Sequence, residues 1–301
     1  MKNESNSLKL IIDKDGQTVK EILKEKYEFS SRLCSKIKRN RSAYLNGQVV
    51  KLSKSTFAGD ELTIYFDDDK IDEYTPVKMD LHIIYEDNCL LIVDKPPFMV
   101  VHPSKSHFDD SLANGIRYYF DSNNIDNKIR LVNRLDMNTS GLVIIAKNSY
   151  THNNISNQMS LGSVDKYYKA LVEGSTETKG SIDAPIGRLH EDDLQRVVHE
   201  NGKHCLTHYW KEKQLDISED EKLSLMLIKL ETGRTHQIRV HMKHIGHPLL
   251  ADDLYNKTSP LINRQALHCY KMSFDHPLTK KRITVTAELP ADFNHILNRE
   301  F

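Results

Sequence analysis

Apolar positions recur at helical spacing twice near the amino terminus, at Val19, Ile22 and Leu23 and again at Leu33 and Ile37. That spacing predicts helices over residues 19–25 and 30–37, with Ser30 or Ser31 as the cap of the second. The period then changes. Residues 44–50 (YLNGQVV) predict a strand, a tight Asn-Gly turn and a returning strand. Gly59-Asp60 predicts another turn before 61–66, where Leu62, Ile64 and Phe66 alternate as a strand should. Beyond residue 77 the pattern predicts strands over 82–85, 90–95, 142–147, 166–172, 207–213, 223–231 and 282–288. It predicts helices over 110–120, 151–159 and 235–245. The last has Ile238, Met242 and Ile245 on one stripe, Thr235 near the cap and Gly246 just past the end. Strands that outnumber helices, without regular crossovers, predict a largely antiparallel sheet.

At 301 residues the chain is long for one core, and two domains of about 150 residues are expected. With 39% hydrophobic and 28% charged residues, disorder and collagen-like packing are excluded. The longest apolar runs, 89–93 and 142–146, are five residues each, whereas a membrane span needs roughly 20. Lys9 interrupts the only apolar stretch among the first twelve residues, so no secretory leader is expected. Cys34, Cys89, Cys205 and Cys269 lie 55, 116 and 64 residues apart, without pairing or metal-like spacing. A reduced, cytoplasmic protein is the expectation. No two of the twelve glycines fall within two positions of each other, and Gly-Lys-Ser/Thr is absent. The common dinucleotide and ATP loops are thereby excluded.

Net charge is zero, but its parts are unlike. Residues 1–66 carry 13 Lys and Arg against 8 Asp and Glu, while 67–301 carry 29 against 34. Residues 30–41 (SSRLCSKIKRNR) hold Arg32, Lys36, Lys38, Arg39 and Arg41 and no acid. A solvated helix face has this composition, and so does a helix that faces phosphates. Two helices followed by a short curled sheet, with Asn-Gly and Gly-Asp turns at these offsets, resemble the S4 RNA-binding domain. Asn40 or Arg41 stands where that family usually has a glycine before its first strand. The acidic, then proline-punctuated stretch 67–76 reads as a linker. The chain thus divides into a small αα-β module (1–66), the linker, and a mixed α/β domain (77–301); its fold class is α+β.

Three clusters of unusual residues interrupt the larger domain. One is 133–141 (NRLDMNTSG), a polar loop just before an apolar strand, where functional groups are often displayed. Read on grammar alone, Arg134 and Asp136 there make a surface ion pair and Thr139-Ser140-Gly141 a turn. The second is 231–241 (ETGRTHQIRVH), with Arg234 and Arg239 at the start of a helix, a placement suited to anions. The third is 95–103 (KPPFMVVHP), a rigid loop following a strand.

Taken together, in their order along the chain, the clusters resemble the RluA/RluD-type pseudouridine synthases. That family's pattern is met at Asp94-Lys95-Pro96 with 100–103 (VVHP), at Arg134-Leu135-Asp136 with 139–142 (TSGL), and at 166–174 (KYYKALVEG). It is met again at 232–241 (TGRTHQIRVH), Gly246-His247-Pro248 and 252–255 (DDLY). The likeness covers nearly the whole chain, because an S4 domain ahead of this catalytic domain is common in the family. Two departures stand out. Asn133 replaces the usual His before Arg-Leu-Asp, and Pro97-Phe98 replaces the usual Ala-Gly.

The resemblance implies conversion of uridine to pseudouridine in RNA. The N1–C1′ bond breaks, the uracil turns, and C5 joins C1′. Nothing is oxidised and nothing leaves, so no cofactor and no metal are expected. One carboxylate, Asp136, acts at the sugar, as nucleophile at C1′ or base at C2′. The family implies that Arg239 pairs with Asp136, that Tyr168 stacks on the base, and that Leu267 lines the pocket. Because a stacked base is out of reach, the uridine is flipped out. Arg134 is the expected occupant of the space left behind, and Arg234 a phosphate contact. The expected partner is ribosomal or transfer RNA, single-stranded or looped at the target, bound by a monomer. Three rivals remain. One is a metal site among His236, His241, His244 and His247, which lacks zinc-like spacing. Another is a catalytically inactive S4-type RNA-binding protein. The third is a glycosidase, which would need a second facing carboxylate.

Overall fold

The computed structural model describes residues 6–66, 74–219 and 221–299. Its first unit runs β1 (Ser7–Ile11), α1 (Val19–Glu21), α2 (Ser31–Asn40), β2 (Ala43–Leu45), β3 (Gln48–Val49) and β4 (Glu61–Tyr65), and α1 continues as a π-helical turn over Ile22–Lys26. The four strands form one sheet in the order β1-β4-β2-β3, and every pairing is antiparallel. Ser30 is the cap of α2, its hydroxyl accepting from the Leu33 amide at 3.1 Å. Cys34 and Ile37 bury one face of this helix, while Arg32, Lys36 and Arg39, at i, i+4 and i+7, lie on the opposite face. Arg41 ends the helix at φ 50°, in the left-handed conformation for which glycine is the usual residue. The Asn46-Gly47 turn has both residues at positive φ (50° and 79°), as a two-residue hairpin requires.

The second unit holds β5 (His82–Glu86), β6 (Leu90–Lys95), α3 (Leu112–Ser122), β7 (Arg130–Leu131), β8 (Ser140–Ala146) and α4 (Ser149–Ser160). It continues with β9 (Asp165–Glu173), β10 (Lys179–Asp183), β11 (Ile186–Gly187), β12 (Val197–Val198), β13 (Leu206–Asp216) and β14 (Lys222–Leu230). It ends with α5 (Gln237–His244), β15 (Leu267–Asp275), β16 (Arg282–Thr286) and α6 (Ala291–Leu297). The large sheet has the order β10-β13-β14-β9-β15-β8-β6-β5, with β16 joined to β15 and β7 to β8; β11 and β12 make a separate ribbon. This is a mixed α/β unit with a mostly antiparallel sheet, as expected. Among the described residues the parallel exception is β8–β15, where Ser140 pairs with His268 and Gly141 with Cys269. The two strands approach so closely that a Cβ on Gly141, at φ +115°, would lie 2.3 Å from the Cys269 carbonyl oxygen. Glycine is therefore required there.

Leu112, Ile116 and Phe120 of α3, Ile155 of α4, and Ile238 and Met242 of α5 join the strands in one core, while Phe293 and Ile296 of α6 pack with Leu171, Leu223 and Leu225 in another. The two units touch. The Phe29 ring lies 4.4 Å from that of Tyr150, whose hydroxyl donates to the Pro277 carbonyl at 2.9 Å, and Glu28 pairs with Lys280. Of the expected linker, residues 67–73 lie outside the described residues. Tyr74 already packs against the larger core, and the Thr75 carbonyl accepts from Asn114. No helix among the described residues is long and apolar enough to cross a membrane.

Two differences from expectation bear on the site. Thr235, expected near the cap of α5, lies one residue before it: His236 is the cap at φ 58°, with no side-chain capping bond. Residues 267–275, not expected as a strand, form β15 in the middle of the sheet.

Candidate active site

Both strands of the parallel seam enter the sheet from the same end, β8 behind the loop 133–139 and β15 at Leu267. The loop is pinned at its start by Asn133. Its amide oxygen accepts from the Ile144 amide at 2.8 Å and its amide nitrogen donates to the Leu142 carbonyl at 3.1 Å, so the side chain mimics a strand partner of β8. From below, the buried Lys95 donates to the carbonyls of Pro96 (2.8 Å), Met99 (2.8 Å) and Met137 (3.0 Å), which ties the loop after β6 to the loop before β8. Burial, then the nearby charge of Arg264, pushes the Lys95 ammonium down to about 7. At the far end the fully buried Arg264 is gripped by Asp292 and donates to the carbonyls of Asn138 and Leu267, both at 3.1 Å. Phe98 adopts φ 62°, at the position where the resembled family has glycine.

Against this loop α5 brings Arg239. Its Nε and Nη2 donate to the two oxygens of Asp252 at 2.7 and 2.6 Å, and its Nη1 reaches Asp136 Oδ2 at 3.3 Å. Burial works against the guanidinium charge, but hydrogen bonds and charge from Asp252, then Asp136, raise its pKa further. Arg239 stays a cation. The Tyr168 hydroxyl is buried, and burial pushes it well above the ordinary phenol range, so that side chain is neutral. A cleft of ≈ 640 Å³ opens here, within the range of small-molecule sites. Its walls include the six larger-domain residues to which the resemblance gives a role: Arg134, Asp136, Tyr168, Arg234, Arg239 and Leu267. A second cavity of ≈ 860 Å³ shares Arg134, Asp136 and Arg239 and extends past His102 and Leu194. The five basic residues of the first unit line neither. Arg32, Lys38, Arg39 and Arg41 are exposed and Lys36 is half-buried.

A family profile described as RNA pseudouridylate synthase matches residues 89–244, which span the Asp136 loop, Tyr168 and Arg239. Over its whole length the chain is 35% identical to YhcT of Bacillus subtilis, an uncharacterized RNA pseudouridine synthase that it covers completely. The chain belongs to the RNA pseudouridylate synthase family. It is also 35% identical to ribosomal large subunit pseudouridine synthase D of Pseudomonas aeruginosa, over 89% of this chain and 86% of that protein. Among solved structures, human RNA pseudouridylate synthase domain containing 1 superposes with a TM-score of 0.59 at 27% identity, over 70% of this chain and 84% of that one. This synthase is thus an RNA-modifying isomerase, and the reading as an inactive RNA-binding protein loses its ground.

Several residues that build the synthase's cleft escaped the sequence reading. Asp252 and Tyr255 stood in a recognised motif without a role, as did Lys95. Arg264 carried no signal, because its partners Asp292 and Asn138 lie 28 and 126 residues away. The four histidines weighed as metal ligands engage different segments. His241 meets Thr207 and the Ala184 carbonyl, His247 the Glu173 carbonyl, His236 the Tyr255 hydroxyl, and His244 is exposed.

Proposed function

We propose that the synthase isomerises flipped-out uridines of structured RNA through Asp136, with ribosomal RNA as the substrate to test first. The observation that carries this reading is the 3.3 Å contact of Asp136 with Arg239, a cation fixed in place by the buried Asp252. In this reading the Asp136 carboxylate acts at the ribose, on C1′ or on the C2′ proton. The base detaches from C1′, turns in place between Tyr168 and Leu267, and returns through C5; the C5 proton is released and N1 gains one. Atoms balance without a cofactor. Arg239 keeps Asp136 ionised and aimed. Arg134 and Arg234, exposed at the rim of the cleft, fill the vacated stack and contact phosphate. Likeness to a ribosomal large subunit enzyme supports ribosomal RNA as the first candidate.

The first unit is read as an S4-like RNA-binding domain covering 1–66, joined through 67–76 to a catalytic domain of 77–301. Its two helices on a small sheet, and the stripe of Arg32, Lys36 and Arg39 with Lys38 and Arg41 beside it, support that reading. Pseudouridine mapping of RNA from cells with and without this protein is the test. A site that disappears with the gene and returns with the wild-type protein, but not with Asp136→Asn, supports the reading. An unchanged map in every RNA class contradicts it.

A further inference from the structure

His236 stands beside Asp136 in a backbone conformation that side chains seldom adopt. Its φ of 58° costs about 1–2 kcal/mol for a residue with a Cβ, so something must hold it there. Tyr255 does. The two rings meet edge to face with centroids 5.6 Å apart, and the Tyr255 hydroxyl lies 2.8 Å from His236 Nδ1. That hydroxyl also accepts a hydrogen bond from the Arg196 amide at 2.7 Å. Tyr255 is buried, and among the described residues His236 Nδ1 is the one acceptor within reach of its proton. A proton on Nδ1 would leave the hydroxyl hydrogen buried without a partner. Nδ1 is therefore the acceptor, and the neutral ring carries its hydrogen on Nε2. Burial, reinforced by the charge of Arg239 and opposed by Asp136, holds the His236 pKa below its ordinary value, in keeping with a neutral ring.

Nε2 points at Asp136 Oδ2 from 3.7 Å. Arg239 Nη1 approaches the same oxygen, and among the described residues no donor is bonded to Oδ1. We propose that His236 is a positioning residue of the isomerisation: with Arg239 it converges on Oδ2 of Asp136 and leaves Oδ1 as the oxygen that acts on the ribose. The inference rests on the reading of Asp136 as the reacting carboxylate. A contact of 3.7 Å is longer than a hydrogen bond, as such contacts often are before substrate enters, and a movement of roughly 0.7 Å closes it. Through Tyr255 and the Arg196 amide the histidine is also tied to the β11–β12 ribbon, whose loop carries Leu194 into the neighbouring cavity.

Two measurements test this. In ¹⁵N spectra of the histidine-labelled wild-type protein at neutral pH, His236 is expected as the Nε2–H tautomer; an Nδ1–H tautomer overturns the inference whatever the variants do. In single-turnover assays, His236→Phe is expected to lower the rate about tenfold to a hundredfold at unchanged RNA affinity, less than loss of a whole oxyanion donor because Arg239 remains. His236→Gln, which keeps an N–H near the Nε2 position, is expected to recover at least about a third of the rate, since the donor is restored. A merely structural histidine would not show that rescue. A wild-type rate for His236→Phe, a loss confined to affinity, or equal damage from Phe and Gln each overturns the inference. An inactive Asp136→Asn beside a fully active His236→Phe removes this inference alone, whereas an active Asp136→Asn removes the reading of Asp136 along with it.

Discussion

Asp252 holds both ends of the Arg239 fork, at 2.7 and 2.6 Å, and so aims the remaining nitrogen at Asp136. The pair is buried, with Asp252 fully enclosed. Such a pair is weak evidence for stability as a whole, but removing one partner strands the other charge. Asp252→Asn is therefore expected to lower stability by about 3 kcal/mol. It also frees the guanidinium to turn fully onto Asp136. Urea unfolding and single-turnover rates read the two effects, and the rate should fall at least about tenfold with RNA affinity nearly unchanged. A rate at the wild-type level would show that the Asp252 clamp has no part in aiming Arg239.

Lys95 predicts a pH dependence of stability. Its ammonium is pushed down to about 7 in the folded protein, against 10.5 ordinarily. Between these values the unfolded chain holds a proton that the folded one releases, so the contribution of Lys95 to stability rises with pH across this window. The destabilisation is fully present below pH 7 and gone above about 10.5. Relative to Lys95→Met, the wild-type protein should gain roughly 2 kcal/mol between pH 7 and pH 9 in urea titrations. A constant difference would mean that the three carbonyl bonds keep Lys95 charged throughout.

Phe98 occupies a left-handed position with its ring half exposed. Little packing holds it there. Phe98→Gly should relieve the backbone and raise thermal stability by up to about 1 kcal/mol, measured as a shift in Tm. A clear loss of stability would indicate that the ring packs more than its exposure implies.

How much of this was legible in the chain varies with the physics behind each feature. Asp136, Tyr168, Arg239 and Leu267, which the fold brings into one cleft, were legible through a family resemblance whose motifs are each written over a few residues. The basic α2 and the Asn46-Gly47 hairpin were legible for the same reason, since caps, turns and charge stripes are written over a few residues. β15 was not. It buries His268 and Ser273 as well as Cys269 and Met272, so its sequence shows neither alternation nor an apolar run. β1 was missed as well, because Lys9 and the exposed Ile11 leave only Leu8 and Leu10 as buried apolar positions. The start of α5 was legible to within one residue from Thr235, while the backbone turns at His236, whose side chain makes no capping bond. The role of Asp252 depends on a partner 13 residues away on a different element, and no local grammar carries that.

The stripe of Arg32, Lys36 and Arg39 on α2 predicts a change in salt dependence. The larger part of the chain, 74–301, carries 28 bases against 29 acids and has little net attraction for RNA. Replacing the three by Gln should lower affinity at physiological salt and reduce the slope of log affinity against log salt by about 2, at ~0.7 for each phosphate contact on a single strand. Chemistry on bound RNA should be nearly unchanged. An unchanged slope with a collapsed single-turnover rate would make α2 a structural element rather than an electrostatic one.

The central claim is that one carboxylate, Asp136, carries the isomerisation. Single-turnover pseudouridine formation by Asp136→Asn, with enzyme saturating and RNA binding measured in parallel, tests it most directly. The expected result is a rate at least about 10⁴-fold below wild type, or about 5.5 kcal/mol of added barrier, with binding intact. A pure variant that turns over within tenfold of the wild-type rate would contradict the assignment.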